Sequence, residues 1–250
     1  MSDYVLILGA TSGIARAIAH ELAKQKSSRH NLILASRNLD ETQRIAKDLN
    51  LRHAIDVECV PFDAEKFESH VTFFNDCVIR AGDQLGGVIL CYGNMVDQKE
   101  SQKSFELIRR MIDVNYSSVV SILNLAAEYF QKKQDGFICA ISSVAGDRGR
   151  ASNYLYGSTK AALSAYLEGL RARMAGLGVH VLTVKPGPVD TMMTWGVAFS
   201  GPLASPERVA ADIGRAIRNR KNVIYSPWFW RPIMALIRLI PQRLYHRLKL

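Results

Sequence analysis

The sequence predicts an α/β fold in which a doubly wound parallel sheet of Rossmann type forms a single domain. Short apolar runs alternate with longer segments of helical periodicity, and a glycine turn directly follows the first run. Runs such as Val5–Leu8 and Leu32–Ala35 are apolar throughout, as expected for strands covered by helices on both faces. A chain of 250 residues is long enough for one sizeable core. The alternation of apolar runs with helical segments favours successive βαβ units within it.

Seven apolar runs have the length of strands. We predict strands at Tyr4–Leu8, Asn31–Ala35, Ile55–Pro61, Gly87–Cys91, Gly136–Ser142, Val179–Lys185 and Asn222–Tyr225. The clearest helical segments are Ile14–Lys26, Glu41–Asn50 and Tyr154–Leu177. The stretch Met192–Pro206 is rich in glycine, proline, serine and other small residues, which predicts a mobile loop after the sixth strand.

The formal net charge of +9 is concentrated at the end of the chain. Residues 215–250 contain nine Lys or Arg and no Asp or Glu, which leaves 23 basic and 23 acidic residues before them. We divide the chain into a main domain, residues 1–226, which is neutral up to residue 214, and a basic, aromatic helical extension, residues 227–250. The extension contains no recognisable module for reading bases, so no nucleic-acid partner is expected.

The four cysteines show no C-x-x-C spacing, so neither a zinc site nor a disulfide framework is expected. The first apolar run is short and has no basic region before it, unlike a secretory leader. We therefore expect a cytoplasmic protein with reduced thiols.

The turn after the first strand has the composition of a dinucleotide-binding turn. Gly9 permits the tight turn, Gly13 lets backbone approach the phosphates, and the small Ala15 lets the helix pack closely on the strand. The helix N-terminus would then face the pyrophosphate. The alternative is an ordinary turn between a strand and a helix. Further cofactor contacts in the turn are expected from Thr11, Ser12 and Ile14.

Residues at the ends of the second and third strands favour NADP(H) over NAD(H). NAD-binding folds place an acidic residue near the second strand, but this chain has Ser36 and Arg37 there, and an arginine accommodates a 2′-phosphate. Arg37 could instead be a solvated charge at a strand end. Asp63, followed by Ala64, is placed to meet the adenine edge, or to cap a helix that begins near Glu65.

Tyr156 and Lys160 are the candidate proton-handling pair. Their spacing of four residues places both on one face of a predicted helix. A neighbouring lysine cation, assisted by an oxidised nicotinamide, favours phenolate and so lowers the phenol pKa. The spacing alone is weak evidence, because Tyr129 and Lys133 repeat it in what we interpret as a solvated helix end.

Ser143 distinguishes the two pairs. The pair Ser142-Ser143 stands at the end of the fifth predicted strand, with Ser143 13 residues before Tyr156, at the carboxyl edge where open α/β sheets bind ligands. A hydroxyl there can donate to a substrate carbonyl. Ser142 is expected to point to the opposite face of the strand.

Over residues 3–225 the chain resembles the short-chain dehydrogenase/reductase family, because it has four of the family's motifs in the same order along the sequence. The resemblance rests on Gly9-x-x-x-Gly13-x-Ala15, Ser143, Tyr156-x-x-x-Lys160 and the run Pro186–Thr191. It implies a nicotinamide cofactor, which Tyr156 and Lys160 also contact, and a catalytic tetrad. The fourth member would be Asn115, which in the family binds a water that relays protons to the lysine. Without the resemblance, Asn115 would be an ordinary helix-interior residue.

The resemblance also implies contacts around the nicotinamide. The family's Pro-Gly run holds the carboxamide, and the corresponding residues are Pro186, Gly187, Val189 and Thr191. After the fourth strand the family usually has Asn-Asn-Ala-Gly, whereas this chain has Leu90–Gly93. Gly93 keeps the close approach to the cofactor beside Cys91, but the side-chain hydrogen bonds of the usual asparagine are lost. We therefore expect altered cofactor geometry and an intact tetrad.

The extension begins with Trp228, Phe229 and Trp230 and continues with Ile, Leu and Met residues between arginines. Its apolar stretch is shorter than the roughly 20 residues that span a bilayer. The pattern is typical of an amphipathic helix on anionic lipid, at the inner face of the membrane. Alternatively, it packs on a sister subunit of a dimer or tetramer, which is common in the family. More loosely, the chain resembles the decaprenylphosphoryl 2-keto-pentose reductase-like branch.

The sequence thus predicts an NADP(H)-dependent oxidoreductase that transfers hydride to a ketone or from the alcohol. The substrate would be a small-molecule or lipid-linked carbonyl compound, such as an amphipathic keto sugar. A 3-oxoacyl-carrier reductase is an alternative, because an acidic carrier suits a basic surface. A non-catalytic NADP-binding sensor or partner protein is an alternative of another class.

Overall fold

The computed structural model describes residues 3–24, 30–195, 202–245 and 247. Within them, seven parallel strands form one sheet in the order β3-β2-β1-β4-β5-β6-β7. The strands are β1 (Tyr4–Leu8), β2 (Asn31–Ser36), β3 (Val57–Pro61), β4 (Leu85–Leu90), β5 (Phe137–Ile141), β6 (His180–Pro186) and β7 (Val223–Ser226). The order reverses between β1 and β4, so the predicted doubly wound sheet is confirmed.

Helices cover both faces of this sheet. They are α1 (Gly13–Ala23), α2 (Leu39–His53), α3 (His70–Arg80), α4 (Gln98–Ser101), α5 (Phe105–Ile112), α6 (Ser118–Lys133), α7 (Tyr154–Met174), α8 (Pro206–Arg218), α9 (Trp230–Leu239) and α10 (Gln242–Tyr245). Short 3₁₀ helices lie at Phe67–Ser69, Val144–Gly146 and Met192–Thr194, and a π-helical turn lies at Asp113–Ser117.

The central strands fill two apolar layers. Val5 and Ile7 of β1 pack into the layer beneath α1, α2 and α8. Leu6 and Leu8 pack into the opposite layer, beneath α3, α6 and α7. Successive side chains of a strand point to opposite faces, which explains why these strands are apolar at every position.

One predicted helix start is wrong. We expected a helix to begin near Glu65, but α3 begins at His70 after a 3₁₀ turn. Asp63 Oδ1 accepts a hydrogen bond from the Glu65 backbone nitrogen at 3.1 Å, so Asp63 closes a local turn and caps no α-helix. The other predicted boundaries that fall on described residues agree within three residues.

The predicted loop at Met192–Pro206 is described at its two ends. Thr191 caps the 3₁₀ turn that follows it, and Val189 pairs with Ala204 in an isolated parallel bridge. Residues 196–201 lie outside the described residues, so the mobility of this loop stays a prediction.

The extension is helical, as predicted, and it packs against the main domain. Met234 of α9 is fully buried. Arg148, in the loop after β5, donates to the carbonyls of Ile237 at 2.7 Å and Arg238 at 2.9 Å. The Arg148 guanidinium also lies 4.0 Å from the centre of the Tyr245 ring. Of the helices in the described part of the chain, none has the length and apolarity needed to cross a membrane.

Candidate active site

A cavity of about 730 Å³ opens at the carboxyl edge of the sheet, beside the reversal of strand order between β1 and β4. Open α/β sheets bind ligands at this place. Of the predicted site residues, its wall contains Thr11, Ser12, Gly13, Ile14, Cys91, Gly93, Ser143, Tyr156, Lys160, Pro186, Gly187, Val189 and Thr191. Residues that are far apart in the sequence thus line the same cavity.

The glycine turn has the backbone that its composition predicts. Gly9 has a φ of +77°, in the left-handed region, and a Cβ there would lie 2.7 Å from the Tyr92 backbone nitrogen. Helix α1 begins at Gly13, and Ser12 caps it by accepting from the Ala15 backbone nitrogen at 3.2 Å. The first turn of α1 lines the cavity, where its unpaired N–H groups can bind an anion.

Ser143, Tyr156 and Lys160 meet on one wall of the cavity. The Lys160 Nζ lies 5.8 Å from the centre of the Tyr156 ring, and both side chains are buried. Nζ donates to the backbone carbonyl of Ile141 at 2.9 Å. Ser143 Oγ accepts from the Ala145 backbone nitrogen at 3.1 Å, which leaves its hydroxyl hydrogen available to a second acceptor.

Burial dominates the ionisation of both groups on α7. It raises the pKa of Tyr156 to about 12, although a hydrogen bond with Ser143 acts in the opposite direction. Burial also lowers the pKa of Lys160 to about 8. The expectation that Lys160 lowers the phenol pKa is therefore wrong for the chain alone. Desolvation of the phenol outweighs the attraction of a lysine that is engaged with Ile141.

Ser142 is engaged away from any ligand. Its hydroxyl donates to the Lys160 backbone carbonyl at 2.9 Å and lies 2.7 Å from Ser164 Oγ. Ser142 therefore ties the end of β5 to α7, and Ser143 is the serine whose hydroxyl can reach a substrate.

Asn115 lies in the π-helical turn between α5 and α6. Its Oδ1 accepts from the Asn94 backbone nitrogen at 2.8 Å, and its Nδ2 donates to the Asn94 carbonyl at 2.8 Å. The Nδ2 also donates to Thr159 Oγ1 at 3.2 Å. The buried side chain therefore joins the loop after β4 to α7, and π turns of this kind are frequent at functional sites.

The loop after β4 touches the other members of the tetrad. A Cβ on Gly93 would lie 3.1 Å from Asn115 Oδ1 and 3.5 Å from Lys160 Nζ. A glycine at this position therefore lets the backbone of the loop approach both side chains closely. Cys91 lines the cavity, but burial raises its pKa to about 12, so its thiol is neutral and unreactive. Tyr92 takes a hydrogen bond from Ser118 at 3.1 Å.

The second Tyr-x-x-x-Lys pair lies outside the cavity wall. Tyr129 donates to the Asp83 carbonyl at 2.8 Å, and Lys133 donates to the Leu85 carbonyl at 2.9 Å. Leu85 begins β4, so this pair anchors α6 at the amino edge of the sheet. The pair lies at the C-terminal end of α6, as expected, and both polar groups also bind backbone carbonyls.

Ser36 and Arg37 lie at the carboxyl end of β2, beyond the cavity wall. Arg37 is exposed and has no hydrogen-bond or ion-pair partner in the described ranges. Ser36 is buried, and its hydroxyl lies 2.8 Å from Thr42 Oγ1 and 3.1 Å from the Asn38 carbonyl. Ser36 thus shapes the turn, whereas Arg37 is available to a ligand.

Asp63 and Ala64 follow β3 at the same edge of the sheet and are also outside the cavity wall. Asp63 uses one carboxylate oxygen in its local turn, and both residues are half-buried. Both residues lie at the carboxyl edge of the sheet, and their contact with an adenine stays a prediction.

The Pro186–Thr191 segment begins at the end of β6 and lines the cavity, and Thr191 lies next to Gly13 of the glycine turn. The Gly187 backbone nitrogen donates to the Ser226 carbonyl at 3.0 Å. The indole of Trp230, from the extension, packs so closely on Gly187 that a Cβ there would collide with it. The extension therefore contacts the segment that is expected to hold the nicotinamide.

The sequence patterns did not indicate several residues at the site. Asn94 directly follows Gly93, so its position beside that motif is a signal that could have identified it. Arg150 and Asn153 line the cavity, and Trp230 covers Gly187, yet none has a local signal. They reach the site through tertiary packing.

Comparisons of sequence agree with this geometry. A family model described as short chain dehydrogenase matches residues 3–198. An uncharacterized oxidoreductase of Mycobacterium tuberculosis is 33% identical over 244 residues, covering 98% of this chain and 96% of the relative. An uncharacterized oxidoreductase of Streptomyces coelicolor is 31% identical over 253 residues, covering 98% and 95%.

Solved structures share the fold. A short-chain dehydrogenase from Sphingobium yanoikuyae in complex with NADPH has a TM-score of 0.80 at 24% identity, with 96% of each chain covered. A variant of the actinorhodin polyketide ketoreductase with NADPH has a TM-score of 0.79 at 19% identity, with 90% of this chain and 95% of that chain covered. Because the family model covers more than half of the sequence, the chain belongs to the short-chain dehydrogenase family of oxidoreductases.

Proposed function

We propose that this protein is an NADP(H)-dependent oxidoreductase that transfers hydride to a ketone or from the corresponding alcohol. The observation that carries the proposal is the meeting of Ser143, Tyr156 and Lys160 on one wall of a cavity whose other end is the glycine turn. Such a site can hold a dinucleotide and present a proton donor to a carbonyl at the same time.

The residues present fit a dinucleotide. Gly9 and Gly13 bring backbone close to the cavity, and the N-terminus of α1 supplies N–H donors for a pyrophosphate. Arg37, which has no partner among the residues that the structure describes, supplies a cation for a 2′-phosphate. Both solved structures named above were determined with NADPH, which supports the same cofactor here. When bound, the nicotinamide would supply or accept the hydride.

The chain's own residues handle the carbonyl and the proton. Tyr156 is protonated at neutral pH, because burial raises its pKa to about 12, so its hydroxyl can donate to a carbonyl oxygen as reduction proceeds. Ser143 donates a second hydrogen bond that orients the same oxygen.

Lys160 replenishes the proton. Its pKa of about 8 means that both its charged and neutral forms are accessible near neutral pH. Asn115 holds the Asn94 backbone, and the neighbouring Gly93 lies between Asn115 and Lys160, so in this proposal Asn115 takes part in the proton relay to the lysine.

The assignment of Tyr156 is tested by Tyr156→Phe. We expect kcat to fall at least about a thousandfold, because the proton donor is lost, while NADPH binding stays within about threefold. NADPH oxidation with a panel of sugar, steroid and acyl ketones measures turnover, and fluorescence titration measures binding. The matched control is Tyr129→Phe, which removes the same hydroxyl from the second Tyr-x-x-x-Lys pair and should keep wild-type kcat.

Each alternative function has its own outcome in this assay. If the wild type binds NADPH but turns over no ketone, the protein is a sensor or partner protein. If only acyl ketones on an acidic carrier are reduced, the protein is a 3-oxoacyl-carrier reductase.

The assignment of Arg37 is tested by Arg37→Asp. We expect a shift of at least about a hundredfold in the ratio of kcat/KM values toward NADH, because a carboxylate repels the 2′-phosphate and can accept from the ribose hydroxyl of NADH. Arg44→Asp makes the same charge change on the exposed side of α2 and should leave the ratio unaltered. An unchanged preference in Arg37→Asp would refute the assignment.

Burial of Lys160 has a consequence for stability that is measurable without turnover. Below pH 8 the folded and unfolded chains both carry the proton, so the buried charge lowers stability fully. Between pH 8 and about 10.5 the unfolded chain binds more protons, so the wild type becomes more stable as pH rises. We expect Lys160→Met to raise the free energy of unfolding by about 1–3 kcal/mol at pH 7, because relief of desolvation outweighs the lost bond to Ile141.

Urea denaturation followed by circular dichroism at pH 7 and pH 9.5 measures this difference. The increase in the free energy of unfolding caused by Lys160→Met should be smaller at pH 9.5 than at pH 7. Lys133→Met is the control, because it removes an amine that also donates to a backbone carbonyl but is less buried, and it should lower stability at both values. A loss of stability in Lys160→Met at both pH values would contradict the buried-charge argument.

The substrate in this proposal is amphipathic, such as a lipid-linked keto sugar, and is met at a membrane surface. The extension exposes an apolar outer face, made by Trp228 (69% exposed), Leu236 (67%) and Leu239 (78%). Arg231 and Arg238 are exposed on the same helix, and no acidic residue lies within residues 215–250. Apolar side chains beside unopposed cations favour anionic lipid over neutral lipid.

Replacement of Trp228, Leu236 and Leu239 by serine tests this contact. We expect the triple variant to lose at least tenfold in affinity for phosphatidylglycerol vesicles, measured by co-sedimentation. The control replaces three apolar residues that are equally exposed on the main domain, Leu51, Ile79 and Phe105, and should bind as the wild type does. The outer face is instead an interface with a sister subunit if the wild type does not bind vesicles and only the triple variant changes the molecular mass of the protein in solution.

A further inference from the structure

Arg150 is a cation beside the cavity without an anionic partner. No carboxylate of the described ranges lies within 4.0 Å of its guanidinium, and its one recorded side-chain contact is with the Met234 sulfur at 3.5 Å. Its neighbours in the same loop are engaged: Asp147 pairs with Lys185 at 2.5 Å, and Arg148 binds two carbonyls of α9. A partly buried charge against a thioether loses hydration and gains little in return.

Arg150 is close to the catalytic wall. It lines the same cavity as Tyr156 and is half-buried. The Asn153 backbone nitrogen donates to the Arg150 carbonyl at 3.2 Å, and the Asn153 carbonyl accepts from Gly157 at 2.8 Å. A short, hydrogen-bonded turn therefore joins Arg150 to the start of the helix that carries Tyr156.

The side chain of Asn153 is a second unsatisfied group in the same place. Its Oδ1 is buried without a hydrogen-bond partner among the described residues, and the residue lines the cavity. The NH₂ group of the same amide is not buried in this way and makes no hydrogen bond to the described residues, so it can donate to a ligand. Arg150 and Asn153 together can then donate several hydrogen bonds to one group of a ligand.

The other charged groups of the cavity wall are committed elsewhere or face different parts of it. Arg16, beside the glycine turn, pairs with Glu41. Lys160 donates to Ile141 and lies beside Tyr156. Asp190 is exposed on the segment after β6 and makes no ion pair with Arg150. Arg150 is therefore the cation that is available for a substrate.

The wall of this cavity also contains large apolar side chains. They belong to Met95, Val144, Met192, Met193 and Trp195. Methionine side chains adapt to irregular apolar shapes, so this wall suits an aliphatic or isoprenoid body. An available cation in a cavity with many apolar side chains selects a ligand that carries a negative group on an apolar body.

We propose that Arg150, with Asn153, binds an oxyanion of the substrate, a carboxylate or a phosphate, at a distance from the carbonyl that is reduced. The proposal deepens the proposed function, on which its catalytic part rests, by naming the substrate class as anionic, apolar carbonyl compounds. The guanidinium presents paired N–H donors that match the geometry of a carboxylate or a phosphate. Arg150 is then a residue that determines specificity, and the acid–base chemistry stays with Tyr156.

Binding of matched ligands to the full-length protein tests the oxyanion site without turnover. Isothermal titration calorimetry compares decanoate, decyl phosphate and decan-1-ol, which share one apolar chain. We expect at least one of the two anions to bind ten- to a hundredfold more tightly than decan-1-ol, and the tighter anion identifies the group. Arg150→Met should remove that preference and leave decan-1-ol affinity within twofold. Arg150→Lys should keep part of it.

Arg173→Met is the matched control, because it removes the same charge from an exposed position at the other end of α7. It should keep the preference for the anion. Equal affinities of the wild type for decan-1-ol and both anions, or an anion preference that persists in Arg150→Met, would overturn the proposal.

Turnover separates this proposal from the proposed function. In NADPH oxidation, 9-oxodecanoate should show a kcat/KM at least tenfold above that of its methyl ester, mainly through KM, and Arg150→Met should equalise the two. Equal reduction of acid and ester by the wild type would overturn the oxyanion site while the reductase activity stands. If neither ketone is reduced but the anion preference in binding depends on Arg150, the proposed function fails and the site stands.

Discussion

The close contact between α7 and the 3₁₀ turn after β5 is the constraint on which the rest of the site depends. A Cβ on Gly146 would lie 2.7 Å from the backbone of Lys160, and a Cβ on Gly157 would lie 2.8 Å from the Ala145 carbonyl. Two glycines therefore let a turn and a helix touch through their backbones. This contact brings Ser143, at the start of the turn, beside Tyr156 on the helix, and it also removes Tyr156 and its lysine from water.

A buried ion pair extends this constraint to the other side of the cavity. Asp147, whose side chain is 2% exposed, pairs with Lys185 of β6 at 2.5 Å and accepts from the Tyr225 hydroxyl of β7 at 2.7 Å. A buried pair with good geometry specifies one arrangement even where its net contribution to stability is small. The loop that follows Ser143 is thereby held to the two strands from which the Pro186–Thr191 segment and the extension depart.

Much of this arrangement could be predicted from the sequence, because its signals are local. The unbroken apolar runs indicate strands covered on both faces, and Gly9 indicates a left-handed turn where a Cβ has no room. The positions of the four residues predicted to form the tetrad could be identified because a family motif contains each of them, and their catalytic roles stay a prediction. The pKa of the Tyr156 phenol could not be predicted from the sequence. It depends on the extent of burial and on the position of the Lys160 ammonium, which binds the Ile141 carbonyl. Spacing could not reveal the anchoring role of Tyr129, since its partner, the Asp83 carbonyl, is distant in sequence.

The extension shows most clearly why the rest could not be predicted. Its composition indicates an amphipathic helix, but one apolar stripe cannot tell which residues face the protein and which face outward. In the fold, Met234 points inward to Arg150 and Trp230 covers Gly187, while Leu236 and Leu239 point outward. One helix thus contacts the segment expected to hold the nicotinamide and the cation proposed to bind the substrate. Any surface that binds its outer face can therefore act on both parts of the site, because α9 is tied to the site by these contacts, by the two carbonyls that Arg148 binds and by its packing on β7.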